Sequence, residues 1–194
     1  MASPTLVLAS SSPYRAALLE RLSLPFEIRP AHVDETPLPQ EQPQQLVTRL
    51  AEAKARIVGT QFPNALIIGS DQAAVLDQHI LGKPGSHQRA LQQLRTESGR
   101  EVTFYTGLCL LNTATRRVTI TLEPFLVQFR QLTEVQIERY LQREQPYQCA
   151  GSFQAEGLGI VLFKRLQGDD PNALIGLPLI RLVELLEQEG YPVL

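Results

Sequence analysis

The 194-residue sequence is short of most features that announce a function at once. It has only two cysteines, Cys109 and Cys149, without C-x-x-C spacing, so the expectation is two free thiols in a reducing cytosol and no disulfide framework. No histidine cluster or H-x-x-x-H spacing is present, which argues against a zinc enzyme. No excess of positive charge exists: 18 Lys and Arg face 20 Asp and Glu, for a net charge of −2. A protein that wraps DNA or RNA carries a basic footprint, so no nucleic-acid partner is expected. No run approaches the ~20 apolar residues of a membrane span, and Leu6 to Ala9 is too short for a signal peptide. The expectation is a cytoplasmic protein with no membrane partner. Neither a Walker A loop nor a G-x-G-x-x-G fingerprint occurs.

What is present suits a folded enzyme. Hydrophobic residues make up 43% of the chain, enough for a sizeable core, and the length suits one domain or two closely fused lobes. Leu6 to Ala9 reads as a buried strand. Ser12 is a good N-cap and Pro13 suits the first helical position. Phe26 to Arg29 suggests a second strand, followed by a Pro- and Gln-rich loop from Val33 to Gln45. A helix from about Pro43 presents Val47, Leu50, Lys54 and Ile57 on one stripe. Leu66 to Ser70 reads as a buried strand with Asp71 at its end. Ala74 to Leu81 reads as a hairpin turning at Asp77-Gln78. Ser86 caps a helix closed by Gly99. Val102–Leu111 and Val118–Phe129 form β-rich runs around a polar turn. Thr133-Glu134-Val135-Gln136 is a capping box for a helix reaching Glu144. Gly159 to Phe163 reads as a strand, and a last helix runs from about Pro178 to Glu189. The mixture of alternating and hairpin-rich segments predicts an α/β domain, and if it has two lobes the cleft between them is the natural ligand site.

Several residues carry chemistry. The first helix begins behind Ser10, Ser11 and Ser12, and its free N–H groups, serine hydroxyls and Arg15 suit a phosphate. An ordinary capped helix with a solvated arginine has the same pattern. Lys54, on an apolar stripe, either snorkels to solvent or points into a cleft. Lys83 lies in a Gly82-Lys83-Pro84 turn. Asp71 is placed for base or metal chemistry, or for an exposed turn. Glu35 sits in an acidic loop. Two lysines, an arginine, two carboxylates and a helix N-terminus together match the needs of phosphoanhydride cleavage.

At this point the sequence resembles the Maf family of nucleotide pyrophosphatases. The resemblance spans nearly the whole chain in order, through Leu8 to Arg15, Val33-Asp34-Glu35, Ala53-Lys54-Ala55, Gly69-Ser70-Asp71-Gln72, Gly82-Lys83-Pro84, Ala150 to Phe153 and Gly176-Leu177-Pro178. It implies a single domain spanning 1–194, with an α/β fold like that of the inosine triphosphate pyrophosphatases: an elongated mixed β-sheet flanked by helices, and two lobes around a central cleft. It implies cleavage of a nucleoside triphosphate to the monophosphate and pyrophosphate with a divalent cation, Mg²⁺ or Mn²⁺, and a homodimer. By position, Asp71 would be the proton acceptor, with Lys54 and Lys83 as catalytic cations. Ser10 and Arg15 would bind the triphosphate, and Glu35 with Asp71 would hold the metal. Members that cleave thymidine or uridine triphosphates usually carry arginine, threonine and glutamine where this chain has Tyr14, Gln72 and Glu156. The present combination is similar to the 7-methyl-GTP pyrophosphatase subgroup, whose aromatic residue is often tryptophan. That subgroup implies removal of methylated nucleotides before they enter nucleic acids. Cleavage of dTTP or UTP, and a nucleotide-binding role in septum formation with little catalysis, are the alternatives.

Overall fold

The structure is a computed structural model that describes residues 4–194. Its elements are β1 (Thr5–Leu8), α1 (Pro13–Glu20), β2 (Glu27–Ile28), α2 (Pro43–Gly59), β3 (Ala65–Leu76), β4 (His79–Leu81), α3 (His87–Glu97), β5 (Glu101–Asn112), β6 (Arg117–Phe129), α4 (Glu134–Glu144), β7 (Phe163–Gln167) and α5 (Leu179–Gln188). Short 3-10 segments span Ala150–Ser152, Leu158–Leu162 and Pro171–Ile175. The strands form one mixed sheet in the order β2-β1-β3-β5-β6-β7, with β4 paired to β3. β1 runs parallel to β2 and β3, whereas β3, β5, β6 and β7 meet antiparallel.

The continuous apolar character of β1 follows from burial on both faces. Leu6 and Leu8 pack with Leu18 and Leu19 of α1 and Leu182 and Leu186 of α5. Val7 and Ala9 pack on the other side with Ala51, Ala55 and Val58 of α2. At the far end of the sheet, Phe104, Phe129, Phe153 and Phe163 join residues of α3 and α4 in a separate aromatic core. Edge-to-face contacts hold this core, with Phe153 and Phe163 ring centroids 4.8 Å apart.

Local chemistry sets the helix starts as expected. Ser12 Oγ accepts from the Arg15 N–H, and Pro13 occupies the first turn. The Thr133 and Gln136 side chains cap each other's backbone N–H groups. Asp77 and Gln78 both take positive φ in the two-residue turn between β3 and β4, as a type I′ hairpin requires.

Three expectations are corrected. Asp71 does not end its strand: β3 continues through it to Leu76, because the antiparallel ladder with β5 runs unbroken from Leu66 to Val75. Ile57 is exposed, and Val58 takes its place on the buried face of α2, since at 3.6 residues per turn position 58 falls nearly in line with Val47 whereas position 57 is turned to the flank. Gly159 to Phe163 is not a strand. Leu158–Leu162 is a 3-10 segment, and β7 starts at Phe163, where pairing with β6 begins.

Candidate active site

Strand period places the two halves of the site. In β3, Gly69 and Asp71 face α2, whereas Ser70 and Gln72 face the opposite side. Gly69 and Gly107 let α2 lie directly on the sheet: a Cβ on Gly69 would stand 2.0 Å from the Ala51 carbonyl oxygen, and one on Gly107 would stand 2.4 Å from that of Val47. This close approach delivers Lys54 to Asp71.

Lys54 is 7% exposed and does not snorkel. Its ammonium donates to Asp71 Oδ1 at 2.6 Å and stands 2.6 Å from Glu35 Oε1. Glu35 belongs to the loop before α2. Arg49 ties that loop down by forking onto Glu41 at 2.6 and 2.8 Å and donating to the Thr36 carbonyl at 3.2 Å. The hydrogen bond from Lys54 holds the Glu35 carboxyl below its usual range, and the charges of Lys83 and Arg15 add to this. Lys83 is exposed and forms no ion pair within 4.0 Å among the described residues.

On the other side of β3, the segment 170–176 is sewn to the site. Ser70 Oγ lies 2.8 Å from the Gly176 carbonyl oxygen and 2.9 Å from that of Gly107. Gln72 Nε2 donates to the carbonyls of Ala173 at 2.7 Å and Leu174 at 3.1 Å. Buried Asp170 anchors the segment by accepting from the backbone of Asn172 and Ile180. Arg15 Nε also donates to the Gly176 carbonyl, at 2.7 Å, and its Nη1 donates to buried Ser10 Oγ at 3.4 Å. Burial draws the Arg15 guanidinium below its ordinary value, opposed by the charges of Asp71 and Glu35. Arginine remains charged under such pressure, so its orientation is what these contacts decide.

Tyr14 is half-buried. Its phenol accepts from Gln154 Nε2 at 2.8 Å, with Cys149 Sγ 4.0 Å away. Burial, with Cys149 and Glu156 nearby, pushes the phenol up to about 12, so it stays neutral. Glu156 is exposed.

All nine residues singled out above line one cavity of about 480 Å³: Ser10, Tyr14, Arg15, Glu35, Lys54, Asp71, Gln72, Lys83 and Glu156. The cavity is shared with Phe104, Cys149, Phe153 and Gln154. The volume is of the size that accepts a small organic ligand. Charged groups gather around β3 and α1, and Tyr14 and Glu156 supply an aromatic and an acidic wall.

Residues 5–189 match the family described as "Maf-like protein". The chain belongs to the Maf family. Within its curated membership, this Maf chain is 73% identical over 193 residues to the "7-methyl-GTP pyrophosphatase" of Nitrosococcus oceani, covering 100% of the chain and 97% of that relative. It is 55% identical to the protein of the same name from Colwellia psychrerythraea, over 98% and 95% of the two chains. Among solved structures, the Ham1 protein of Staphylococcus aureus superposes with a TM-score of 0.55 at 13% identity, over 95% of this chain and 99% of that one. That likeness concerns the fold alone, and it agrees with the mixed α/β architecture.

Sequence reasoning missed three features of this Maf site. It overlooked Gln154, which lies one residue past the recognised Ala150 to Phe153 segment. It gave no place to Ser70 and Asp170, whose side chains secure the 170–176 segment. Position two residues before Glu156 was the only local signal for Gln154, because its partner Tyr14 is 140 residues away.

Among the described residues, no group of three or more His, Cys, Asp or Glu is placed to hold a metal. Glu35 and Asp71 nevertheless fit a hard cation. One oxygen of each faces Lys54, leaving the other oxygen of Glu35 to serve as a ligand and that of Asp71 open to a cation or to a proton. Mg²⁺ is commonly held by one or two carboxylates plus substrate phosphates and water.

Proposed function

We propose that this Maf protein hydrolyses 7-methyl-GTP to 7-methyl-GMP and pyrophosphate, with Mg²⁺ or Mn²⁺. The observation that carries the reading is one cavity lined both by cations and carboxylates for a triphosphate and by Tyr14 and Glu156 for a base. The names of its relatives support the same substrate.

Methylation at N7 makes guanine cationic. The face of Tyr14 attracts such a ring by roughly 0.5–2 kcal/mol. The Glu156 carboxylate accepts from the guanine N1–H and 2-amino groups, and its charge strengthens both bonds. Arg15, steered by Gly176 and Ser10, and the exposed ammonium of Lys83 hold phosphate oxygens. A water attacks the α-phosphorus. Its oxygen forms the new P–O bond, the bond to the bridging oxygen breaks, and pyrophosphate leaves. Asp71 accepts the water's proton through its second oxygen, while Lys54 pins the first. A divalent cation, when bound, would be held by the second oxygen of Glu35 together with substrate phosphate oxygens and water, and would supply charge neutralisation on the phosphate oxygens. Removal of methylated nucleotides before they reach nucleic acids, by a cytoplasmic homodimer, is part of the same reading.

Pyrophosphate release from GTP, 7-methyl-GTP, dTTP and UTP, with and without Mg²⁺, tests it. The expected result is metal-dependent release with 7-methyl-GTP the best substrate. Preference for dTTP or UTP would transfer the chain to the sister specificity. Binding without release would make it a nucleotide-binding regulator.

A further inference from the structure

Gln154 is bonded both to Tyr14 and to the turn that carries Glu156, the two walls of the base end of the cavity. Its side-chain Nε2 donates to the Tyr14 phenol at 2.8 Å. Its backbone N–H donates to Tyr140 Oη of α4 at 3.1 Å. Its carbonyl accepts from the N–H groups of Gly157 at 3.3 Å and Gly159 at 3.1 Å, which closes the turn carrying Glu156. The far side of that turn is held by Glu144 of α4, whose Oε2 accepts from the Leu158 N–H at 2.7 Å. Tyr140 is 2% exposed and its ring belongs to the aromatic core. It does not line the substrate cavity.

We propose that Gln154 is a specificity-positioning residue, which sets the Tyr14 ring and the Glu156 carboxylate at the separation that a methylated guanine requires, with Tyr140 as its anchor in the core. The inference rests on the base-reading function proposed above. Its physical basis is preorganisation. Tyr14 has rotatable side-chain bonds and Glu156 stands on an exposed turn. A ring platform and a carboxylate recognise one planar base only when their relative position is held beforehand, because each group ordered on binding subtracts from affinity. Gln154 supplies the connection with one side chain and one peptide unit. The Tyr140 phenol takes part as an acceptor that the apolar core keeps dry and fixed.

The test uses the full chain and pyrophosphate release, with kcat and KM measured on 7-methyl-GTP and GTP. Gln154→Met keeps the side chain's bulk and removes the donor. It should raise KM for 7-methyl-GTP about three- to tenfold, the ordinary worth of one neutral hydrogen bond. The fall in kcat should be smaller, and the preference for 7-methyl-GTP over GTP should shrink. Tyr140→Phe, outside the cavity, should move the preference the same way by a smaller factor. In a Tyr14→Phe background, which retains the ring, Gln154→Met should act much more weakly, since its partner oxygen is gone. Three outcomes overturn the inference while leaving the function intact: an unchanged substrate preference in Gln154→Met, an equal loss on both nucleotides, or full additivity with Tyr14→Phe. Failure of the unmodified protein to prefer 7-methyl-GTP overturns the functional reading, and the inference with it.

Discussion

Lys54 Nζ stands 2.6 Å from Asp71 Oδ1, joining the middle of a helix to the middle of a strand 17 positions away. The same nitrogen stands 2.6 Å from Glu35, so one ammonium holds two carboxylates together. Bringing two acids into one half-buried site is unfavourable unless a cation lies between them.

Asp71→Asn should therefore lower kcat by about 10² to 10⁴, the ordinary contribution of a general base, with thermal unfolding little changed. The amide oxygen still accepts from Lys54, so folding has no reason to fail. Turnover within tenfold of the unmodified protein would remove Asp71 from the proton transfer.

Lys54→Met leaves the acids without their shared cation. Loss of the hydrogen bond that depresses Glu35 returns this carboxyl toward its ordinary range. The acid limb of the kcat/KM profile, set by the need for ionised carboxylates, should then move to higher pH, together with a large fall in rate. A limb that stays in place would show that Glu35 does not govern the profile.

Glu156→Gln keeps the shape of the side chain and removes its charge. Selective weakening of 7-methyl-GTP by about tenfold is expected, since a charge-assisted bond exceeds a neutral one by roughly 1 kcal/mol or more. Rates on dTTP and UTP should change far less. An equal loss on every nucleotide would argue against base reading.

Glu97, at the end of α3, is fully buried, and neither carboxyl oxygen has a hydrogen-bond partner among the described residues. Burial pushes its acid well above the usual 4.5, so folding favours the neutral form over the ionised form that the unfolded chain adopts at neutral pH. Its contribution to stability is complete below about 4.5 and is lost as pH rises toward the folded-state value. Glu97→Gln should therefore be the more stable protein at neutral pH. Its advantage should shrink as pH falls, by up to about 1.4 kcal/mol per pH unit. Denaturant unfolding of both proteins from acid to neutral pH checks this, and parallel curves would contradict it.

Much of this protein is written locally. Ser12-Pro13 and the Thr133–Gln136 box start helices because the groups that satisfy the first N–H donors are adjacent in the chain. The apolar run of β1 and the Asp77-Gln78 turn are equally local, and the ordered family segments brought eight of the nine cavity residues to notice, Glu156 entering through the subgroup pattern. What the tertiary structure alone decided is how those residues are used. The length of β3 past Asp71 depends on its ladder with β5. The fate of Lys54 depends on how closely Gly69 and Gly107 admit α2 to the sheet. Gln72 faces the 173–174 carbonyls, and Gln154 finds Tyr14 140 residues away. Glu97 lies on a polar stretch of α3, and nothing nearby in the chain marks it for burial without a partner. Caps and turns are settled by neighbours a few bonds apart. Direction, charge pairing and desolvation of a side chain are settled by groups that only folding makes neighbours.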